Sequence, residues 1–552
     1  MGFLTRLRTA MGGGDLHAAE LADALMALHG DRLAVRLHEA IGIPGLEGEN
    51  WSHQQIHLFV QKMTSVLRAY PVSMVSGDTV AVFTDNHMEL LVHCLAIWRA
   101  GGVVVPLNAK MRPAEVHHVL ADSKARIVIG SKTTYESGVG SLGDHASVSC
   151  WLTTQDEPPV PEVHSLASLL VEHTGEEAAP PSRSAQNMVT VFYTSGTTGK
   201  PKGTMITSEG LCGALSRFAL LDPMLFNAES MAFTALPLAH MYGFSASLLA
   251  LMAGMPIYQM PTFDAVAVLD ILEEQQPSIF IGVPAMYRLL LEAGAEARDL
   301  SSVKMWVSAA DVVSPDIVER FKQMGASVKL GPFRIPAAFA EGYGMVETSG
   351  IVLGGVSLPG MKRERGFVGV PLPGVSVRVI GDDGQEVSYG GEGQLCIQGP
   401  GVLKGYLGAR EATKAVIRDG WLHTGDMVRR GLLGTIEFIN RSSDRLKVGG
   451  YSVFPAEIEA GLCEHPGVEA AFVFGEPHPK AGEVPVAVII PASGVELSAD
   501  ELIQWAAGRM ATYKAPRRMV FAAMTDLPLG DTGKVLRRKL PERFGQTQQG
   551  EA

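Results

Sequence analysis

Apolar residues fall along this chain in two spacings. Short continuous runs, VTVFY at 189–193 and SIFIGV at 278–283, alternate with stretches such as PDIVERFKQMG at 315–325, where apolar positions recur every three or four residues. The first spacing predicts buried strands and the second predicts amphipathic helices. Their alternation predicts parallel sheets covered by helices. Beyond about residue 365 the texture changes to short strands and turns. VSVRVIGDDGQEV holds an Asp383-Gly384 hairpin signal, and GQLCIQG follows it. From Ala456 the order becomes helix (AEIEAGL), strand (VEAAFVF), strand (VPVAVII) and helix, the last opened by a capping-box pattern from Ser498 to Glu501.

The expected fold class is therefore α/β. A large N-terminal domain, residues 1–440, carries parallel sheets covered by helices and a small β-rich subdomain. A smaller, mobile C-terminal α+β domain spans 441–552, within the usual domain range. The polar segment INRSSDRLK (439–447) separates two apolar blocks and reads as a linker, with a hinge near 441–444.

Composition narrows the classes. The 552 residues suit several units with large cores. From Met231 to Phe263 there is no Asp, Glu, Lys or Arg, yet Pro237, Gly243, Gly254 and Pro256 interrupt the stretch, so it reads as buried core and not as a membrane span. A net charge of −12 argues against a broad nucleic-acid surface. The Arg537-Arg538-Lys539 cluster reads as a solvated face. Five scattered cysteines without a CxxC pair suit a reducing compartment. No sustained apolar run opens the chain, so a cytoplasmic protein is expected.

The stretch richest in chemistry is YTSGTTGKPKG, Tyr193 to Gly203. It leaves a predicted strand, its glycines allow close approach to a ligand, and its hydroxyls and lysines supply the donors that phosphate oxygens need. It is not a Walker A loop: Gly196 and Gly199 stand too close together and Lys200 precedes a proline.

This segment resembles the phosphate loop of the acyl-adenylate-forming superfamily, the AMP-dependent synthetases and ligases that include acyl-CoA synthetases. VVVPLNAKM (103–111), LPLAHMYGF (236–244), EGYGMVE (341–347), GQLCIQGPGVLKGY, DGWLHTGD, NRSSDRLKVGGYSVFPAEIE and LPLGDTGKVLRRKL resemble further family motifs in the family's order, over roughly residues 50 to 540. The resemblance implies two steps. A carboxylate attacks the α-phosphate of ATP to give an acyl-adenylate and pyrophosphate, and a thiol, usually that of CoA, then displaces AMP. Such steps are helped mainly by positioned charge.

Residue by residue, the resemblance implies that Thr194, Ser195, Thr197, Thr198 and Lys202 hold the β- and γ-phosphates. Ala310, Asp311, Gly342, Tyr343, Gly344 and Val346 belong to the nucleotide site, the SAADVV segment (308–313) lining the adenine pocket and Tyr343 lying against the adenine face. Glu347 binds Mg2+, a hard cation that prefers carboxylate and phosphate oxygens. Asp426 accepts from the ribose hydroxyls, with Arg441 and Lys447 nearby. Lys534 bridges the reacting carboxylate and the α-phosphate. His240 gates the acyl tunnel, and Gly449 and Gly450 form the thiol channel once the small domain has turned. The acid pocket takes in Met241, Tyr242, Gly243, Ser247 and Ile351, a small and apolar set that favours a hydrophobic carboxylic acid.

Several positions depart from the family pattern. Val346 stands where threonine usually donates to the α-phosphate. Ala309 and Val312 replace the usual glycine and proline beside adenine, Ser208 a common histidine, and Ser443 the usual hinge residue. An acyl-CoA ligase with ATP, CoA and Mg2+ is the expected function. Two alternatives stay open: a weakly adenylating member that mainly converts acyl-AMP supplied by a second adenylating enzyme, and a nucleotide-binding regulator without turnover.

Overall fold

The computed structural model describes residues 16–139, 144–155, 158–173, 187–194, 201–218, 230–330, 333–361, 366–441, 446–448, 451–453, 455–478, 481–492, 494–511, 514–530 and 535–545. The chain divides into two compact units, residues 1–376 with 397–422, and residues 377–396 with 423–552.

In the first unit an eight-stranded sheet runs in the order Gly405–Tyr406, Lys202–Thr207, Met188–Thr194, Val103–Pro106, Thr79–Phe83, Ile127–Gly130, Cys150–Thr153, Val163–Ser165. Neighbours are parallel from Met188–Thr194 onwards, while Lys202–Thr207 is antiparallel to both of its partners. Val103–Pro106, Ile127–Gly130 and Cys150–Thr153 are buried at every residue. Strands covered on both faces have no polar side, which is why their sequences do not alternate.

A second sheet in this unit orders Gly350–Ser357, Ala338–Met345, Met305–Ala309, Ile279–Gly282, Ala232–Thr234, Ile257–Gln259, Leu33–Leu37 and Asn50–Ser52. It is parallel except at its two ends. The runs VTVFY and SIFIGV are therefore strands, and PDIVERFKQMG is the helix Pro315–Met324. The uncharged stretch folds as strand Ala232–Thr234, helix Met241–Met252 and strand Ile257–Gln259. Among the described residues no helix is long and apolar enough to cross a membrane.

Helix Glu89–Ala100 is buried at all 12 positions. One apolar cluster joins its side chains to those of both sheets. The indole N–H of Trp98 donates to the Val189 carbonyl at 2.9 Å, tying the helix to the strand before the phosphate loop. The polar residues of this layer are buried with it. Burial, with Asp85 adding to it, pushes the Glu89 carboxyl up to about 8. Burial drives the His93 imidazole down to about 4. His53, at the head of helix His53–Arg68, falls to about 3 through burial and then the charges of His29 and Arg32. Neither histidine has a hydrogen-bond partner on either ring nitrogen among the described residues.

In the second unit, Val468–His478 and Gly482–Pro491 pair antiparallel and Arg518–Phe521 adds a parallel strand, with helices Pro455–Leu462 and Ala499–Ala507. The Asp383-Gly384 turn forms, with Gly384 at φ +76° and the Asp383 carboxylate accepting from the Gln385 N–H at 2.9 Å. At Ser498 the hydroxyl accepts from the Glu501 N–H at 3.5 Å. No return bond from the Glu501 side chain forms among the described residues, so only the serine half of the capping box is made. Arg537 corrects a sequence expectation. It does not lie on a solvated face but pairs with Glu459, Nη2 to Oε2 2.8 Å, a carboxylate only 3% exposed. A carboxylate buried that deeply requires a cation, and this one also accepts from the Val473 N–H at 2.7 Å. Arg538 and Lys539 are the exposed members of the cluster.

Candidate active site

Ligands of open α/β sheets sit beyond the carboxyl ends of the parallel strands. At that end Met305–Ala309 and Ala338–Met345 run side by side, with Ser308 opposite Glu341 and Ala309 opposite Gly342. The pairing brings together two segments that stand far apart in sequence, Ala310–Asp311 and Gly342–Glu347. Ala310 has φ +75°, in the left-handed region that non-glycine residues seldom occupy. The Asp311 carboxylate accepts from the Val312 N–H at 2.9 Å.

Strand Ala338–Met345 passes through a one-turn 3-10 helix, Val346–Thr348, into the antiparallel Gly350–Ser357. A Cβ at Gly344 would lie 2.1 Å from the Gly350 carbonyl oxygen, and one at Gly342 would lie 2.9 Å from the Ile351 side chain. The glycines flanking Tyr343 therefore let the hairpin close, while Tyr343 stays half-buried.

Glu347 follows on the 3-10 turn. Its Oε1 accepts from the Tyr406 hydroxyl at 2.9 Å, and its backbone carbonyl accepts from the Leu403 N–H at 2.8 Å. Burial, then the Glu347 charge and this bond, raise the Tyr406 phenol above its ordinary range. Among the described residues Oε2 makes no hydrogen bond and Glu347 forms no ion pair. The family implies a magnesium ion here. A single half-buried carboxylate, one of whose oxygens makes no hydrogen bond among the described residues, fits a cation that takes one or two carboxylates plus substrate phosphates. Among the described residues no cluster of three acidic, histidine or cysteine side chains could hold a metal alone.

Strands Met188–Thr194 and Lys202–Thr207, on either side of the segment expected to hold phosphate, pair with Thr194 facing Lys202 and Tyr193 facing Gly203. Ser195, Thr197 and Thr198 lie outside the described residues, and Thr194 is described only as strand backbone. Helix Pro113–Ser123 holds both stems of the loop. The Tyr193 hydroxyl donates to Asp122 Oδ2 at 2.7 Å, and His118 Nε2 meets the Pro201 carbonyl at 3.0 Å. A carbonyl can only accept, so His118 carries its proton on Nε2. Lys202 places its ammonium 5.6 Å from the centre of the Tyr406 ring, within cation–π range.

His240 precedes helix Met241–Met252. The Asn108 amide orients its ring. Asn108 Oδ1 accepts from the Lys110 N–H at 2.9 Å, so the amide nitrogen is the atom that faces His240 Nε2 at 3.1 Å. An N–H donor there makes Nε2 the acceptor of this bond. Nearby, the Asn86 side chain accepts from the Leu238 N–H at 2.7 Å and donates to the Pro261 carbonyl at 2.8 Å, shaping the turn before the helix.

Of the expected pocket residues, Met241, Gly243 and Ser247 are buried while Tyr242 and Ile351 are half-buried. Gly243 is a packing requirement, since a Cβ would lie 2.4 Å from the Pro237 carbonyl oxygen. The Tyr242 hydroxyl donates to the Gly282 carbonyl at 3.2 Å, and burial raises its phenol. Val346 packs against the apolar cluster, as do Ala239, Tyr242, Ala246, Val307 and Ala340, all partly exposed.

In the second unit, strands Trp421–Arg430 and Ile436–Arg441 pair with Asp426 directly opposite Arg441. Arg441 Nε meets Asp426 Oδ1 at 3.2 Å; the carboxylate residue is 1% exposed. Lys447 lies in strand Leu446–Val448, paired with Ser452. Gly449, Gly450 and Lys534 lie outside the described residues. Sequence reasoning missed Tyr406, Asn108, Asp122 and His118. Tyr406 and Asn108 stand inside the quoted motifs GVLKGY and VVVPLNAKM, so the signal was present without a partner to give it meaning.

Comparison with known proteins adds three findings. A family model described as AMP-binding enzyme matches residues 23–407, and one described as AMP-binding enzyme C-terminal domain matches 457–534. The chain is 32% identical over 511 residues to a feruloyl-CoA synthase of Amycolatopsis sp, covering 90% of this chain and 95% of that one. It is 31% identical over 490 residues to an indoleacetate–CoA ligase of Aromatoleum aromaticum, covering 88% and 91%. Among solved structures, ATP-bound MatB from Rhodopseudomonas palustris superposes with a TM-score of 0.81 at 28% identity, covering 96% of this chain and 99% of that one.

Proposed function

The chain belongs to the AMP-binding enzyme family, the acyl-adenylate-forming superfamily, and from that premise we propose an AMP-forming acyl-CoA synthetase for a hydrophobic, ring-bearing carboxylic acid. The enzyme class rests on the family and its CoA-ligase relatives. The acid is the finer reading. One observation supports it: on the partly exposed apolar surface of the core cluster lie Ala239, Tyr242, Ala246, Val307, Ala340 and Val346, with Val307 opposite Ala340 where strands Met305–Ala309 and Ala338–Met345 pair. Such a surface favours an apolar acid over one that carries a second charge. Feruloyl and indoleacetate, in the names of two relatives, are aromatic acyl groups.

In this reading the acid's carboxylate attacks the α-phosphate of ATP, pyrophosphate leaves, and the CoA thiol then displaces AMP. Lys202 and the hydroxyls of Thr194, Ser195, Thr197 and Thr198 balance the phosphate charge. Tyr343 covers the adenine and Asp426 orients the ribose. Glu347 holds Mg2+, which when bound screens the phosphate oxygens. Lys534 bridges the reacting groups in the first step. His240 gates the acyl path, and the segment 441–444 serves as the hinge for the second step. The test is a panel of aryl, alkyl and dicarboxylic acids, followed by CoA-thioester formation. Aryl acids should lead by at least roughly tenfold in kcat/KM. Preferential turnover of a short dicarboxylic acid would sink the assignment.

Val346 sharpens the order of the two steps. Packed among apolar side chains, it offers the α-phosphate no donor, so adenylation is the slower half. Val346→Thr should raise ATP–pyrophosphate exchange roughly tenfold, the worth of one hydrogen bond to a charged group. An unchanged rate would clear the valine. The relatives named as synthases and ligases lend no support to a separate supplier of acyl-AMP.

A further inference from the structure

We propose that Tyr406 is a positioning residue of the nucleotide site, whose hydroxyl aims the Glu347 carboxylate and whose ring keeps the Lys202 ammonium away from it. The proposal rests on the assignments of Glu347 to the metal and Lys202 to phosphate. Three observations meet at this side chain. Its hydroxyl donates to Glu347 Oε1 at 2.9 Å, which commits one oxygen and leaves the other for a cation. Lys202 lies 5.6 Å from the centre of its ring. Its backbone is held on both sides: Tyr406 faces Thr204 across a strand pair, and its N–H donates to Thr413 Oγ1 at 2.9 Å.

The placement answers a problem that any such site faces. A carboxylate meant for a cation and a lysine meant for phosphate attract each other before the nucleotide arrives. An ion pair between them would neutralise both. Among the described residues neither Glu347 nor Lys202 forms an ion pair. The tyrosine that both approach satisfies the ammonium weakly through its face and the carboxylate through its hydroxyl. Both charges thus stay oriented and available. The donated bond also fixes the orientation of the carboxylate.

Binding separates the two roles, so the measurement is ATP binding by calorimetry, in EDTA and across a Mg2+ titration, on the full chain. Tyr406→Phe keeps the ring and removes the hydroxyl. Its metal-free ATP affinity should stay within about twofold of the parent, while the Mg2+ midpoint for ATP binding rises about tenfold. Tyr406→Leu removes the spacer as well. Its metal-free ATP affinity should fall about tenfold as Lys202 closes on Glu347. Adding Glu347→Gln to Tyr406→Leu should then restore metal-free affinity, which a merely structural role for the tyrosine would not allow. An unchanged Mg2+ midpoint in Tyr406→Phe overturns the proposal, and that arm decides alone if the leucine variant does not fold. A parent chain that binds no ATP would instead remove the functional reading beneath it.

Discussion

Glu347 and Asp426 are both acidic, both assigned to the nucleotide, and placed in different units, and their surroundings differ in kind. Asp426 is almost wholly buried with a guanidinium 3.2 Å away, and its N–H donates to Thr424 Oγ1 at 3.0 Å. Its negative charge is balanced by the fold itself, which suits a group that accepts from neutral hydroxyls. Glu347 is half-buried, has a phenol where Asp426 has a cation, and keeps an oxygen unbonded among the described residues. Its charge is left for something that arrives. A carboxylate's partner therefore says more about its use than its burial does.

The largest effect separates the two directly. Glu347→Gln should lower kcat/KM for ATP about a hundredfold, as loss of one group aimed at developing charge does. Raised Mg2+ should recover part of the loss. Asp426→Asn should raise KM for ATP roughly tenfold and leave the Mg2+ dependence where it was. Initial rates over a grid of ATP and Mg2+ read both. If the two variants shift the Mg2+ dependence equally, the contrast between the carboxylates is wrong.

Glu89 extends the comparison to a carboxyl with neither a cation nor an incoming ligand. Its folded-state value of about 8 lies above the ordinary 4.5. The folded chain keeps the proton through a range where the unfolded chain has lost it, so stability falls as pH rises from 4.5 towards 8. His53 and His93 have the opposite sign. Their folded values of about 3 and about 4 lie below the ordinary 6.5, so stability falls as pH drops from 6.5. Below 6.5 two histidines oppose one glutamate; above 6.5 the glutamate acts alone. Glu89→Gln should therefore remove ~2 kcal/mol of stability loss between pH 6.5 and 8 and steepen the acid side. Denaturant melts of parent and variant across this range measure the difference. A pH-independent difference would show that Glu89 does not titrate in this window.

These charges also show what the sequence could and could not carry. The strands Met188–Thr194 and Ile279–Gly282 and the helix Pro315–Met324 were legible, because apolar spacing is local. Glu89, His93 and Arg99 are polar or charged, yet the helix ELLVHCLAIWRA that carries them is covered on every side. Arg537 meets Glu459 across 78 positions of chain, and Tyr406 meets Glu347 across 59. Asn108 reaches His240 across 132. Contacts at such separations depend on strand order, which no local pattern states. The glycines of EGYGMVE were read as part of the nucleotide site, and the structure adds a close approach within their own hairpin.

The smallest effect tests whether the adenine side of the site stores strain that neither carboxylate shows. Ala310 ends strand Met305–Ala309 with φ +75°, where its Cβ crowds the backbone. For a non-glycine residue that conformation costs about 1–2 kcal/mol. Glycine removes the crowding and gives back about 0.5–1 kcal/mol through the freer unfolded chain. Ala310→Gly should thus stabilise the chain by less than about 1 kcal/mol, read as a small upward shift in the denaturation midpoint. Kinetics separate strain from use. If the strained turn serves the nucleotide, the more stable variant loses ATP affinity, because glycine frees the turn to leave the conformation that alanine holds. If stability and ATP affinity rise together, the strained alanine is one that the site merely tolerates.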